Sequence, residues 1–463
     1  MNDRINSKID WTPDLQHSGL PLYLAIADAI HRDIASGRLC AGERLPPQRR
    51  LASQLNVDFT TVARAYVEAQ KRGIVCSTVG RGTFIAPPTS SATQRVAAAD
   101  FSMNLPPEPD NPQLIAAMAA GFAEISKDIV SLSRYQNFGG SPEAKKAASL
   151  WLERKGLTAP DTRLFITSGA HAALTALFNV LARPGEAILS EAITYPGARS
   201  IAGQLGIKLI GLTMDEHGIT PDALHEACKQ HQPRALYLNP TLQNPTTLTI
   251  PLSRRQALAQ IARKFNLQII EDDAYCFISP DAPAPFAALA PELTWYIAGL
   301  SKCFGAGLRC AYVVAPDARA AWPFIAATRA MTVMASPFTT ALATRWINDG
   351  TGDALLDFIR KETAARQAMA ADILSAQTLR ADPLSFNIWL ELPTPWTRAE
   401  FVAQMESKNL GIVPSDVFMA AGTPPEAIRV CLGGPTKRHE LQTALEFMAH
   451  ILAGSPALTS RYL

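Results

Sequence analysis

A lysine, an aspartate and two arginines stand in short turns rich in small residues, and their chemistry is the most specific feature of the chain. In IAGLSKCFGAGLRCAYVV, Lys302 follows an apolar strand-like run. A lysine so placed can condense with an aldehyde to form a Schiff base, and its small neighbours let a flat cofactor lie close to the backbone. Arg309, seven positions later, offers a planar two-point clamp for a phosphate. A lysine at a strand end can also simply extend its amine to solvent, which is the plainer reading of Lys302 taken alone. LQIIEDDAY ends a second apolar run in carboxylates. Asp272 is placed to keep a pyridine-type nitrogen protonated, and Tyr275 to hydrogen-bond a phenolic oxygen; such carboxylates elsewhere bind magnesium or cap helices. In FITSGAHAAL, the turn at Gly169 and Ala170 leads from a strand into a helix whose free N–H groups can cradle a phosphate. Tyr195 in EAITYPG is available to stack on a ring, or to fill a core. Asn244 in LYLNPTLQNPTTLTIP is available to donate to the same phenolic oxygen, or to belong to a proline-rich turn.

The elements that must position these residues follow from hydrophobic patterning. From Phe101 onward, short apolar runs alternate with longer amphipathic stretches, the pattern of βαβ units. RLFITSG, EAILSE, RALYLNP, LQIIEDDAY and LTWYIAGLSK are predicted as buried strands, each ending in small or polar residues. Ligands of open α/β sheets collect outside the carboxyl ends of the strands, and the chemistry-bearing residues sit at those ends. This predicts an α/β body over residues 101–455, a large, mostly parallel mixed sheet with a small α+β subdomain at its C-terminal side. PPTSSATQRVAAAD, residues 87–100, is small and polar without periodicity and reads as a linker.

Residues 20–86 form a separate predicted unit. PLYLAIADAIHRDIASGRL has helical apolar spacing, with Gly37 placed to stop the helix. A proline pair precedes a short helix in LPPQRRLASQLNV, and Asp58 is placed to cap a further helix in DFTTVARAYVEAQKRG. Two β-type runs then flank a Gly-Arg-Gly tip. Helix, helix-turn-helix and β-hairpin is the order of a winged helix. Nine basic against five acidic residues between Pro21 and Ala86 give a local excess suited to phosphate contact.

Bulk properties narrow the class. At 463 residues the chain needs two or three cores, and its net charge of +2 carries no polyanion signal for the whole. Seven cysteines, at 40, 76, 228, 276, 303, 310 and 431, show no metal-ligand spacing, so no metal is expected and a reducing cytoplasm is. The opening MNDRINSKIDW has no signal-type apolar core, and no run is long enough to cross a bilayer.

The N-terminal unit resembles the DNA-binding domain of the GntR family through LPPQRRLASQLNV and TTVARAY. That resemblance implies that Arg49, Thr60, Thr61 and Arg64 meet phosphates or base edges of operator DNA, with Arg81 and Gly82 at the wing tip. Phe59 stands where the family often has arginine. The body resembles class I and II, or fold-type I, aminotransferases. By that resemblance pyridoxal 5'-phosphate (PLP) is the cofactor and Lys302 the Schiff-base and catalytic residue. Asp272 partners the pyridine nitrogen, Asn244 and Tyr275 the phenolic oxygen, and Tyr195 stacks. Gly169, Ala170, Ser301 and Arg309 hold the phosphate, Tyr135 reaches the partner protomer's phosphate, and Arg429 in AIRVCLGG grips a substrate carboxylate; a structural strand arginine is the other reading of Arg429. His171 and Gly299 depart from commoner family residues, an amide and a serine. The fusion resembles the MocR subfamily. That resemblance implies a homodimeric regulator whose body senses PLP or an amino compound by aldimine exchange, or else an active aminotransferase that also binds DNA.

Overall fold

The chain divides into two compact units, Met1–Ala97 and Ala98–Leu463. The structure is a computed structural model that describes residues 11–15, 21–40, 42–72, 74–78, 82–85, 101–408 and 410–454. The linker expected at 87–100, Arg81 and residue 455 lie outside the described residues.

In the N-terminal unit the three expected helices are α1 (Leu22–Ala35), α2 (Gln48–Leu55) and α3 (Phe59–Lys71). Gly37 lies at φ +75° beyond α1, a left-handed conformation that glycine takes without a Cβ clash. The Asp58 side chain accepts from the Thr60 N–H, which starts α3 as expected. Strands β1 (Val75–Thr78) and β2 (Gly82–Ile85) form the hairpin, in register Val75 to Ile85. Mutual N–H to carbonyl bonds between Glu43–Leu45 and Thr83–Ile85 add a third extended segment to it. Ile26, Ile30, Leu51, Val62, Tyr66, Val75 and Ile85 bury one apolar face from each element in a common core. The Tyr66 hydroxyl meets the Pro46 carbonyl at 2.8 Å, so the proline pair is tied to the helix it precedes.

The body is built on seven strands: β3 (Leu164–Thr167), β4 (Ala187–Glu191), β5 (Lys208–Leu212), β6 (Ala235–Leu238), β7 (Gln268–Asp272), β8 (Thr294–Gly299) and β9 (Ala311–Val314). Their order is β3-β9-β8-β7-β6-β4-β5, with β9 the antiparallel member. All five runs predicted as strands are present. The edge strand β5 and the reversed strand β9 complete the sheet. Burial on both faces explains the continuous apolar runs. Within β8, Trp295 and Ile297 pack against Phe178 and Phe324, whereas Tyr296 and Ala298 join Trp151 and Trp346 on the other face. A smaller antiparallel sheet contains β10 (Leu379–Arg380), β11 (Asn387–Glu391), β12 (Val413–Pro414) and β13 (Ala427–Cys431), in the order β10-β11-β13-β12. Its Ile388, Leu390, Ile428 and Val430 pack on the helix Arg438–Leu452 through Leu441, Leu445 and Met448. The expected class, a large mostly parallel mixed sheet plus a small α+β subdomain, is the one observed. Among the described residues no helix is long and apolar enough to cross a membrane.

Candidate functional site

Parallel register brings the carboxyl ends of β6, β7 and β8 level: Leu238 pairs with Glu271, and Ile297 with Asp272. Asp272 therefore leaves the sheet beside residues that its own sequence neighbourhood does not contain. Tyr237 donates to Asp272 Oδ2 at 3.1 Å, and Asn239 Nδ2 donates to the Asp272 carbonyl at 2.5 Å. Asp272 Oδ1 is buried without a hydrogen-bond partner among the described residues. Burial pushes this carboxyl up to about 6, opposed by the Tyr237 hydrogen bond and the nearby Lys302 charge. Glu191, at the end of β4 and fully buried, is pushed up to about 8 by desolvation despite the Asn239 N–H at 3.3 Å.

Lys302 ends a tight turn, Leu300–Lys302, that follows β8 directly. Part of the side chain is open to solvent, but burial around its amine pushes the amine down to about 8. Its Nζ donates to the Asn104 carbonyl and lies 5.8 Å from the centre of the Tyr275 ring. The Tyr275 hydroxyl accepts from Asn104 Nδ2 at 2.8 Å.

The phosphate-type turn is shaped by one backbone requirement. Gly169 sits at φ +94° before the helix α4 (Ala170–Leu181), and a Cβ there would come within 3.1 Å of the Arg309 guanidinium. The first N–H groups of α4 have no partner within the helix, and Arg309 adds a cation beside them. Ser301 is half-buried in the turn next to Lys302. Gly299 faces Ala170, where an added Cβ would be in ordinary contact at 3.4 Å. The half-buried Tyr195 ring lies edge-on to His171, with centroids 6.4 Å apart. Burial and the Arg309 charge both lower the pKa of His171.

Arg429, on β13, reaches this region from the small sheet. It is 6% exposed and packs over the Phe418 ring at 4.9 Å. Its Nη1 donates to Asn244 Oδ1 at 2.7 Å, its Nη2 to the Ser102 carbonyl, and its buried Nε has no partner among the described residues. Asn244 thus accepts from Arg429 here. Lys302, Asp272, Tyr275, Asn244 and Arg429 are gathered by this network, and Gly169, Ala170, Arg309 and Tyr195 adjoin it. Tyr135 is 81% exposed and stands outside it. Asn104, Tyr237, Asn239, Glu191 and Asn387 were missed. Tyr237 and Asn239 carried a signal, a polar group inside and just after a buried strand. Asn104 carried none, because it meets Tyr275 across 171 residues of chain.

On the N-terminal unit, Arg49 and Arg64 are exposed, Thr61 is half-buried, and the Thr60 hydroxyl and N–H both turn to Asp58. Arg49 lies 6.0 Å from the Phe59 ring and Arg64 4.4 Å from the Tyr23 ring. Gly82, at φ +113°, lets Arg44 pass, since a Cβ would stand 2.7 Å from its Nε. Arg44, which sequence reading passed over, therefore lines a groove with Arg49, Phe59 and Gly82.

Residues 22–85 match the family described as bacterial regulatory proteins, gntR family. Residues 98–447 match aminotransferase class I and II. The chain is 28% identical over 459 residues to the HTH-type transcriptional regulator YdeF of Bacillus subtilis, covering 98% of this chain and 99% of that one. It is 27% identical over 414 residues to the vitamin B6 salvage pathway transcriptional repressor PtsJ of Salmonella typhimurium, covering 88% and 93%. LysN, the α-aminoadipate aminotransferase of Thermus thermophilus solved with N-(5'-phosphopyridoxyl)-L-leucine, shares the fold at a TM-score of 0.71 and 24% identity, over 80% of this chain and 96% of that one. Pyridoxal phosphate is the cofactor that goes with this family, and the residues present fit it. An unpartnered buried carboxylate oxygen on Asp272 suits a ring N–H, the glycine-opened turn at Gly169 suits a phosphate, and an amine near 8 suits an aldehyde. With a gntR-family segment ahead of a body matched over 350 residues, the chain belongs to the aminotransferase class I and II family.

Proposed function

We propose that this chain is a DNA-binding transcription regulator whose aminotransferase-type body binds PLP and an amino compound and passes that occupancy to the DNA-binding head. The observation that carries the reading is the convergence of Lys302, Asp272 and Arg429 behind a helix-turn-helix segment on one chain. Head, linker and body are assigned to residues 20–86, 87–100 and 101–455. Exposed apolar side chains at Phe122, Ile129, Val130, Tyr135 and Phe138 support a homodimer, in which Tyr135 would serve the partner's site. Six free cysteines among the described residues support a reducing cytoplasmic setting.

Bound PLP would supply an aldehyde that captures amines and a ring that withdraws electrons. Toward that group, Asp272 would hold the proton of the ring nitrogen, and Asn244 and Tyr275 would bond the ring oxygen. Gly169, Ala170, Ser301 and Arg309 would hold the phosphate, and Tyr195 would stack on the ring. Lys302, as a low-pKa amine, gives up its proton readily and is a nucleophile near neutral pH. Arg429 exchanges the Ser102 carbonyl for a ligand carboxylate, a stronger, charge-assisted partner. Arg49, Thr61, Arg64, Arg81 and the Gly82 turn would contact DNA, with Thr60 contributing chiefly to the helix cap. Ligand capture alters DNA affinity only so far as it favours one of two arrangements of the protein.

The test is a spectral titration of the full chain with PLP and a panel of amino acids, repeated while operator binding is followed. The protein is expected to take up PLP with a visible band, to lose the borohydride-trapped covalent adduct in Lys302→Ala, and to change DNA affinity with at least one amino acid. A colourless protein indifferent to added cofactor overturns the reading. The intact set of Lys302, Asp272 and Arg429 favours a second reading, an active aminotransferase that also binds DNA, and turnover of amino and keto acid pairs in the same titration distinguishes it.

A further inference from the structure

One residue of the site owes nothing to the motifs and touches two of the groups named above. Asn104 is 8% exposed; its carbonyl accepts from Lys302 Nζ, and its amide lies between Tyr275 and Asn387. The orientation of that amide follows from neighbours that permit no alternative. Asn387 lies 2.7 Å from the Pro245 carbonyl, which can only accept, so the Asn387 NH2 must point there. Asn387 Oδ1, which also accepts from the Ser385 hydroxyl at 3.3 Å, is then turned toward Asn104 at 3.0 Å; two amide oxygens would repel at that distance, so the Asn104 atom facing it is the NH2. The second N–H of that group meets the Tyr275 oxygen at 2.8 Å. Tyr275 is therefore an acceptor on its protein side, and its own proton is the hydrogen-bonding function left for a ligand. Burial holds this hydroxyl protonated by pushing its pKa well up. Asn104 Oδ1 is buried without a hydrogen-bond partner among the described residues.

We propose that Asn104 is a positioning residue that fixes the direction of the Tyr275 hydrogen bond, making Tyr275 an obligate donor to the ring oxygen of bound PLP. This rests on the cofactor reading above. A donor stabilises negative charge on that oxygen, most of all once the neighbouring Lys302 nitrogen has lost its proton. The pH midpoint of the bound cofactor's visible band is thereby held low, and weakening the donor raises it.

The experiment is a spectroscopic pH titration of the PLP-loaded full chain and four variants. Tyr275→Phe sets the full upward shift. Asn104→Ala is expected to raise the midpoint by part of that shift, about half a pH unit or more. Asn104→Asp, of the same shape, is expected to raise it further, because its carboxylate draws the phenolic proton away from the ligand. The double variant Asn104→Ala/Tyr275→Phe is expected to match Tyr275→Phe alone, since Asn104 acts through Tyr275. An unchanged midpoint in both Asn104 variants beside a shifted Tyr275→Phe overturns the proposal, as do additive shifts in the double variant. If Asn104→Ala fails to fold, the uncharged Asn104→Ser takes its place with the same two outcomes. A wild-type chain that takes up no cofactor overturns the underlying reading, an outcome plainly different from a coloured chain with an unmoved midpoint.

Discussion

Single residues at this site are tuned mainly by what surrounds them in three dimensions. Glu191 is a buried carboxyl that bonds the Asn239 N–H, the Thr194 hydroxyl and the Gln243 side chain and lies near the Asp272 carboxyl, and desolvation outweighs those hydrogen bonds. The folded chain retains a proton there that the unfolded chain releases near pH 4.5, and holds it up to about pH 8. Its contribution to stability is therefore complete in acid and declines as pH rises across that window. Glu191→Gln is expected to remove the decline, leaving the variant more stable than wild type at pH 8.5, by on the order of 4 kcal/mol, and little changed at pH 5. Urea denaturation at the two pH values measures this, and equal pH dependence in both proteins would sink the assignment. The same buried environment acts on Lys302 in the opposite charge sense and lowers its pKa.

At the scale of elements, the strand-to-helix turn after β3 depends on backbone conformation. Gly169 at φ +94° avoids the penalty an L side chain meets there, and its missing Cβ keeps space beside Arg309. Gly169→Ala is expected to cost roughly 1–3 kcal/mol in strain and to weaken PLP binding about tenfold or more, with the visible band retained at saturation. Cofactor titration by absorbance measures it, and unchanged affinity would remove this turn from the phosphate site. The turn was legible because Gly169 and the apolar runs on either side are consecutive in the chain. The loop bearing Asn244 was legible only as proline-rich. What holds it is Arg255, fully buried, which donates to the carbonyls of Pro240 and Ile250 from a helix that follows the loop. The buried Glu271 lies 3.8 Å from Arg255, and its two carboxyl oxygens accept from the Phe286 and Ala287 N–H groups at 2.8 and 2.9 Å.

For the whole molecule, two units with separate cores predict separable losses. Arg49→Ala with Arg64→Ala is expected to weaken operator binding about tenfold or more, and to flatten its salt dependence, while the PLP spectrum stays intact. Fluorescence anisotropy with labelled DNA, run beside the absorbance spectrum, checks both halves. Retained affinity in the double variant would sink the assignment of Arg49 on α2 and Arg64 on α3 to the DNA-binding face. Arg44 and Gly82 extend that face to the hairpin through a contact between residues that are not neighbours in sequence.

The amino-acid sequence alone carried the order of elements and the fold class of both units, and it marked a lysine, an aspartate and an arginine as groups with chemistry to offer. It could do so because hydrophobic period, turn residues and motif spacing are local properties that one dimension preserves. What those groups touch became readable in the folded chain. Parallel register set Asp272 beside Tyr237 and Asn239, the small sheet brought Arg429 to Asn244, and the segment after Phe101 placed Asn104 between Lys302 and Tyr275. Hydrogen bonds and desolvation act through space over a few ångströms, so partners as far apart as Asn104 and Tyr275 are invisible until the chain is folded.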